Sequence, residues 1–501
     1  SLGLTTVSCN GFLDEMPDNR TELNTDQKIA KLLVSAYADV SPNELFELYS
    51  DNSDDSGPTY GYYKLSEQEC YHWQDTKEEY QDTPNSLWGG YYSAIAAANM
   101  ALNAIEEKGN PASLDPQRGE ALVCRAYCHF MLANIFCNAY DTHASQSLGV
   151  PYMEEVETTV SPRYERGTLE EVYRKVERDL LEGIDLISDD SYSVPKYHFT
   201  RKAAYAFAAR FYLYYMKPDF SNCDRVIDFA TRVLGTNPAD LLRNWEALGN
   251  LSVNGNVQAD AYIASSNEAN LLISSTVSNW GAIGSDYLIG PRYFHNQTLA
   301  TSETCLSSGL WGSSDYFYLK PFSTNGFVAS ILRKSGLYEG TYLYYMPVLF
   351  STDETLLCRA EAYALKKMYA QSAADITSWQ RAYTRNKSVL TPEQINTYYD
   401  RMSFYTPFTQ QTPKKKLAPD FMIEEGMQEN FIHCILHIRR ITTLHEGMRW
   451  PDIKRYGILI YRRDMANQRV TDEMPPNDLR YAIQIPRSVI VAGIQPNPRR
   501  N

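Results

Sequence analysis

Leu122-Val123-Cys124-Arg125-Ala126-Tyr127 and Leu356-Leu357-Cys358-Arg359-Ala360-Glu361-Ala362-Tyr363 are two versions of one short pattern, and Ala208-Ala209-Arg210-Phe211-Tyr212 is a third. Each sets small residues where a neighbouring helix can approach closely, with an aromatic residue two or four places after an arginine. The second and third lead after a short break into another helical stretch, Ala373 to Tyr383 and Cys223 to Leu234 respectively. Arg125, Arg210 and Arg359 stand among apolar neighbours, so each is expected in a buried ion pair with another helix. Glu361, two residues from Arg359, does not share its helical face and is expected to pair elsewhere.

Helix, turn, helix at this length is a tetratricopeptide-like arrangement, although the copies depart from a fixed repeat of about 34 residues. Outward from these segments the apolar spacing stays helical. Ile29, Leu32, Leu33, Ala36 and Tyr37 mark one face behind a Thr25 cap, and Leu87, Trp88, Tyr91, Tyr92, Ile95, Ala98, Leu102 and Ile105 mark another. Further helices are expected near 117–138, 167–187, 199–215, 222–234, 353–369, 372–386, 391–402, 427–446 and 450–457. The fold class is therefore all-α, a tetratricopeptide-like helical repeat scaffold with long irregular, aromatic-rich loop insertions.

Those insertions run from about 41 to 84 and from about 249 to 350, where periodicity fails and Gly, Pro, Ser, Asn and Asp rise. They are dense in rings: Tyr60, Tyr62, Tyr63, Tyr71, Trp73 and Tyr80 in the first, and Trp280, Tyr287, Tyr293, Phe294, Trp311, Tyr316, Phe317 and Tyr318 in the second. Disordered segments are poor in aromatics, so these loops should fold against the helical body, where binding residues commonly sit. Trp88 and Trp450 lie in helical motifs and read as structural.

The 501 residues carry 47 Lys and Arg against 61 Asp and Glu, a net charge of −14, which argues against nucleic acid as a partner. Aromatic residues make 13% of the chain, and 38 of them are Tyr. No stretch is long and apolar enough for a membrane span. Ser1 to Cys9 resembles the tail of a lipoprotein signal peptide, with Cys9 the residue acylated after cleavage. The other eight cysteines form no CxxC pair or regular framework. Cys124, Cys128 and His129 could share a helical face as metal ligands, but their apolar neighbours favour buried thiols. The segment from Asp51 to Gly57 has the acidic look of a calcium loop, yet Tyr62 stands where an EF-hand needs an acid. No cofactor is expected, and a structural Ca²⁺ held by Asp51 or Asp55 stays open without support. Lys414-Lys415-Lys416 reads as a solvated turn. There is no phosphate loop, HExxH or GxSxG, and carboxylate pairs among so many acids carry no weight for a glycosidase.

A set of segments in fixed order resembles the SusD/RagB family of outer-membrane nutrient-binding lipoproteins of Bacteroides-type bacteria. They are Phe12-Leu13-Asp14 after Cys9, Ser50-Asp51-Asn52, the stretch Leu87-Trp88 to Asn99, Gly119 to Phe130 around Arg125, and Gly149-Val-Pro151-Tyr152. Glu354 to Tyr363, Arg439-Arg440, Glu446 to Gly457, Ile485-Pro486 and Gln495 to Pro498 complete it. The resemblance implies a signal-peptide remnant over 1–9 and a single SusD-like body over 10–501. Within that body it implies an N-terminal helical part over about 10–248 and a C-terminal part over about 249–501. It implies no catalysis, a lipid anchor at Cys9 as the only tie to the membrane, and display on the outer face of the outer membrane. It also implies a SusC-like TonB-dependent transporter as partner, to which captured oligosaccharides pass; the alternative is a peptide-binding, RagB-like role.

Sugar rings offer an apolar C–H face to aromatic platforms and hydroxyls to Asn, Asp, Gln and Arg. On that chemistry the candidate ligand-binding residues are Tyr71, Trp73, Asn279, Trp280, Arg292, Trp311 and Tyr316.

Overall fold

The computed structural model describes residues 23–60, 63–158, 164–252, 257–280, 292–312, 336–339 and 342–500. Cys9, Tyr62, Tyr287, Tyr316, Phe317 and Tyr318 lie outside the described residues.

The molecule is helix-dominated, as the spacing predicts. Pro84–Glu107 packs on Asp115–Phe136, which packs on Leu169–Leu186; Arg201–Tyr214 packs on Ser221–Leu234. Thr352–Leu365 joins the halves, touching Ser221–Leu234, Arg201–Tyr214, Tyr369–Tyr383 and Met427–Thr442. Local chemistry sets the helix starts. Thr25 accepts from the Lys28 N–H as expected, and Thr168 and Glu171 form a reciprocal capping box. Pro84 opens its helix where no N–H is needed. Asp115–Phe136 and Leu169–Leu186 approach glycine to glycine: a Cβ on Gly119 would lie 2.8 Å from the Gly183 carbonyl oxygen, and one on Gly183 would lie 2.8 Å from that of Gly119.

The buried arginines pair between helices. Arg125 grips Asp179 with two bonds of 2.7 and 2.9 Å, Arg359 grips Asp375 at 2.8 and 2.7 Å, and Arg210 meets Glu354 at 3.2 Å. Glu361 pairs with Arg455 at 2.8 Å. Glu354 and Arg455 also join through Arg439 and Asp452, giving a buried chain Arg210–Glu354–Arg439–Asp452–Arg455–Glu361 in which charge balances. His129 donates to or accepts from backbone at both ring nitrogens, at Arg125 O and Met153 N, which leaves neither for a metal. Trp88 and Trp450 are buried.

The two insertions are more ordered than their lost periodicity suggests. They hold the two-turn helices Asn43–Tyr49, Leu65–Tyr71 and Val257–Ile263 and a set of short antiparallel strands. Asn270–Ile273 pairs with Val348–Ser351, and Thr276–Val277 pairs with Tyr342–Tyr345, which pairs with Gly336–Glu339. A C-terminal hairpin, Ile460–Asp464 with Arg469–Met474, closes the chain's last sheet. No helix among the described residues is long and apolar enough to cross a membrane.

One expectation is overturned. Lys414 and Lys415 are buried, and only Lys416 is exposed, so the basic run is no solvated turn. Lys415 enters an ionic cluster with Asp51 at 2.7 Å and Glu303 at 2.5 Å, while Lys414 donates to the Tyr399 carbonyl at 2.7 Å. Buried carboxylates need such partners, which local sequence does not reveal.

Candidate ligand-binding surface

The two ring-rich insertions meet in a two-residue antiparallel ladder, Asp54 opposite Phe294 and Asp55 opposite Tyr293. Arg292, entering the ladder, donates to both carboxylate oxygens of Asp55 at 2.7 and 3.0 Å, and its carbonyl accepts from Ser56 N–H. Tyr293 is thereby fixed against a nest of rings. It stacks on Tyr71 at 4.7 Å and takes Tyr63 and His72 edge-on, each at 5.7 Å. The Arg292 guanidinium lies 5.5 Å from the Tyr63 ring and 5.2 Å from that of Tyr293.

Tyr60 and Tyr63 are about two-fifths exposed, at 41% and 39%, and His72 is half-buried. Burial, then the positive Arg462, lowers the His72 pKa, which keeps its ring neutral. The open side of the nest thus offers ring faces and edges beside a charge-neutral Arg292–Asp55 pair, chemistry suited to an apolar C–H face rimmed by hydroxyls.

The floor beneath is rigid. Arg462 of the C-terminal hairpin donates to the carbonyls of Leu48, Tyr49, Ser50 and Tyr71 and stacks on the Tyr71 ring at 4.1 Å and the Trp73 ring at 4.2 Å. Its neighbour Arg463 pairs with Asp54 at 2.9 Å. Behind them Arg449 holds both oxygens of Asp51, which also meets Lys415 and Arg440. Burial alone would raise the Asp51 carboxyl; Arg440, Arg449 and Lys415 outweigh it and hold the group well below its usual range. The carboxylates considered for a structural cation, Asp51 and Asp55, are thus both engaged by cationic side chains.

Of the sequence-predicted residues, Tyr71 and Arg292 come together here. The tryptophans do not stand as exposed platforms. Trp73, 4% exposed, donates its indole N–H to Tyr49 O at 2.8 Å and takes the left-handed conformation, φ 54°. Trp280 is buried with its N–H on His445 O, and Trp311 is fully buried edge-on against Trp379. Asn279 is half-buried, its backbone N–H held by Asp82. Tyr63, Tyr293 and His72 are not among the candidate ligand-binding residues, and Asp55 enters the sequence reading only as a possible cation ligand; the ladder makes them neighbours. An interior cavity of about 50 Å³, lined by Phe46, Arg210, Tyr214 and Glu354 among others, has room for one or two waters and none for a sugar ring.

A scaffold of helical pairs thus carries a ring surface built from two distant loops. Residues 11–213 match the SusD-like family model described as starch-binding and associating with the outer membrane. Solved structures share the fold along nearly the whole chain. A SusD superfamily protein from Bacteroides fragilis is 15% identical with a TM-score of 0.62, covering 94% of this chain and 98% of its own. A SusD-like carbohydrate-binding protein from Bacteroides vulgatus is 14% identical, TM-score 0.61, covering 93% and 96%. A laminarin-binding SusD-like protein is 16% identical, TM-score 0.54, covering 95% and 99%. Among curated proteins no sequence match is found. Residues 11–213 are thus similar to the SusD-like family, and the chain as a whole shares the fold of the solved SusD-like structures.

Proposed function

We propose that this protein captures oligosaccharides on the ring surface around Tyr63 and Tyr293, without cleaving them. The observation that carries the reading is the set of rings packed round Tyr293 and Phe294, with Tyr60 and Tyr63 open to solvent, beside the Arg292–Asp55 pair. It is supported by the family's description as starch-binding and by the laminarin-binding protein of the same fold. Tyr60, Tyr63 and His72 would meet the sugar C–H faces above the buried Tyr293, and Arg292 and Asp55 the hydroxyls.

The wider role follows the family's association with the outer membrane. The protein is held at the outer face by acylated Cys9 and hands its ligand to a SusC-like TonB-dependent transporter. Affinity electrophoresis in gels containing starch or laminarin, with the ligand recovered and sized, tests the binding. Retarded migration with intact polysaccharide is expected. Shortened chains would make the protein an enzyme, and no retardation together with peptide capture would favour the RagB-like role. Co-purification of a transporter barrel with the tagged, membrane-extracted protein tests the handover.

A further inference from the structure

The cavity of about 50 Å³ lies where four elements meet, with walls from Asp115–Phe136, Arg201–Tyr214, Val348–Ser351 and Thr352–Leu365 among others. Three of its lining side chains have hydrogen-bonding capacity that nothing among the described residues takes up. Tyr214 ends its helix 4% exposed, its ring 5.5 Å from that of Phe130 and 4.8 Å from the Arg455 guanidinium, and its buried hydroxyl has no partner there. Arg210 bonds Glu354 through Nε and Nη2 and the Leu349 carbonyl through Nη2, which leaves Nη1 without an acceptor among those residues. Asn134 donates from Nδ2 to the Phe130 carbonyl at 2.8 Å, which leaves its Oδ1 without a donor among them. Both of these side chains are buried.

A buried polar group left unpaired costs more than a made hydrogen bond contributes, so protein interiors seldom keep one. The spare groups here are a guanidinium N–H, an amide oxygen and a hydroxyl: a donor, an acceptor and a group that can be either. Burial, and then the negative Asp452, raises the Tyr214 pKa, so the hydroxyl keeps its proton at neutral pH. A buried water makes about three hydrogen bonds, the number on offer, and a void of this size admits it while excluding a sugar ring or a peptide. The Arg210 charge is already met by Glu354, so the cavity offers an ion no net charge to answer.

We propose that this cavity is a binding site for structural water, which accepts from Arg210 Nη1, donates to Asn134 Oδ1 and bonds the Tyr214 hydroxyl. The water ties Arg210, one end of the buried ionic chain, to Asn134 on Asp115–Phe136, a helix whose own buried arginine, Arg125, pairs elsewhere with Asp179. Asn134 is a fixed anchor for it: besides the Nδ2 bond, its backbone carbonyl accepts from the Lys454 ammonium at 2.7 Å. The water is thus a third kind of link between the first helices and the later ones, beside apolar packing and direct ion pairs.

Two measurements on the full chain test this. A high-resolution crystal structure of the wild type should show a density peak about 3 Å from Tyr214 Oη and from Arg210 Nη1 or Asn134 Oδ1. Crystals soaked in bromide should give no anomalous peak at that position. The second measurement is the urea midpoint of Tyr214→Phe, a change that removes the hydroxyl and leaves the ring. If water bonds the hydroxyl, the midpoint falls below that of the wild type. If the hydroxyl is unpaired, removing it relieves a desolvation cost, and the midpoint stays level or rises. A dry cavity, a bromide signal in it, or a Tyr214→Phe midpoint at or above the wild-type value overturns the proposal.

Discussion

Tyr71 and Trp73 share one cation: the guanidinium carbon of Arg462 lies 4.1 Å from the first ring and 4.2 Å from the second. Among the described residues Arg462 pairs with no carboxylate but with four carbonyls and these rings, so its charge is held by dipoles and π faces. Trp73→Ala should therefore lower stability by about 3–5 kcal/mol in urea unfolding, while glycan affinity of the folded fraction changes little. A large affinity loss at unchanged stability would return Trp73 to the ligand site.

On the surface itself the order reverses. Tyr63 lies on the solvent side of the nest, 39% exposed, so Tyr63→Ala should leave unfolding midpoints almost unmoved. Affinity for the retained polysaccharide should fall about tenfold, near 1.4 kcal/mol, by isothermal titration calorimetry. An unchanged affinity would remove Tyr63 from the site.

The balanced chain from Arg210 to Glu361 makes acid sensitivity predictable. Burial would raise the Glu354 carboxyl, but Arg210 and Arg439 outweigh it and bring it down to about 2, against 4.5 for a free group. A depressed folded-state pKa stabilises above the unfolded value, and the contribution is lost as pH falls from 4.5 through about 2. Glu354→Gln should cost about 3–5 kcal/mol at neutral pH, because Arg210 and Arg439 stay buried. It should also flatten the acid limb of a thermal-unfolding pH series.

Three imidazoles act at milder acidity. Burial lowers His129 and His437 to about 3 and His295 to about 4. Both ring nitrogens of each are hydrogen-bonded within the fold. Between the ordinary value of 6.5 and these folded values the unfolded chain binds the extra protons, so stability declines as pH drops through that window. His129→Gln should reduce the slope between about pH 6 and 4; an unchanged slope would mean that His129 protonates freely in the native state.

Long helices were legible because their apolar spacing repeats over several turns, as in Pro84–Glu107. The signature arginines were legible as buried pairs, though their partners Asp179, Glu354 and Asp375 were not, since helix packing chooses them. Asn43–Tyr49 and Leu65–Tyr71 escaped notice because two turns give too few repeats, and nearly every residue of the first is buried regardless of polarity. The ring-rich loops were found as loops. The tryptophans of these loops are buried, because the area that suits an indole to a ligand suits it equally to the core, where Trp73, Trp280 and Trp311 lie. Tyr63 and Tyr293 become a pair only through the ladder, which no local pattern announces.

Arg292 and Asp55 are 237 residues apart in the chain. Closing a loop of that size costs about 5 kcal/mol of chain entropy before any contact repays it. The ring surface must therefore be among the last parts to assemble, once the intervening helices have already drawn its two edges together. A chain folded only as far as its first helical pairs would be compact yet would lack this surface, so a formed Arg292–Asp55 pair reports completed folding of everything between them.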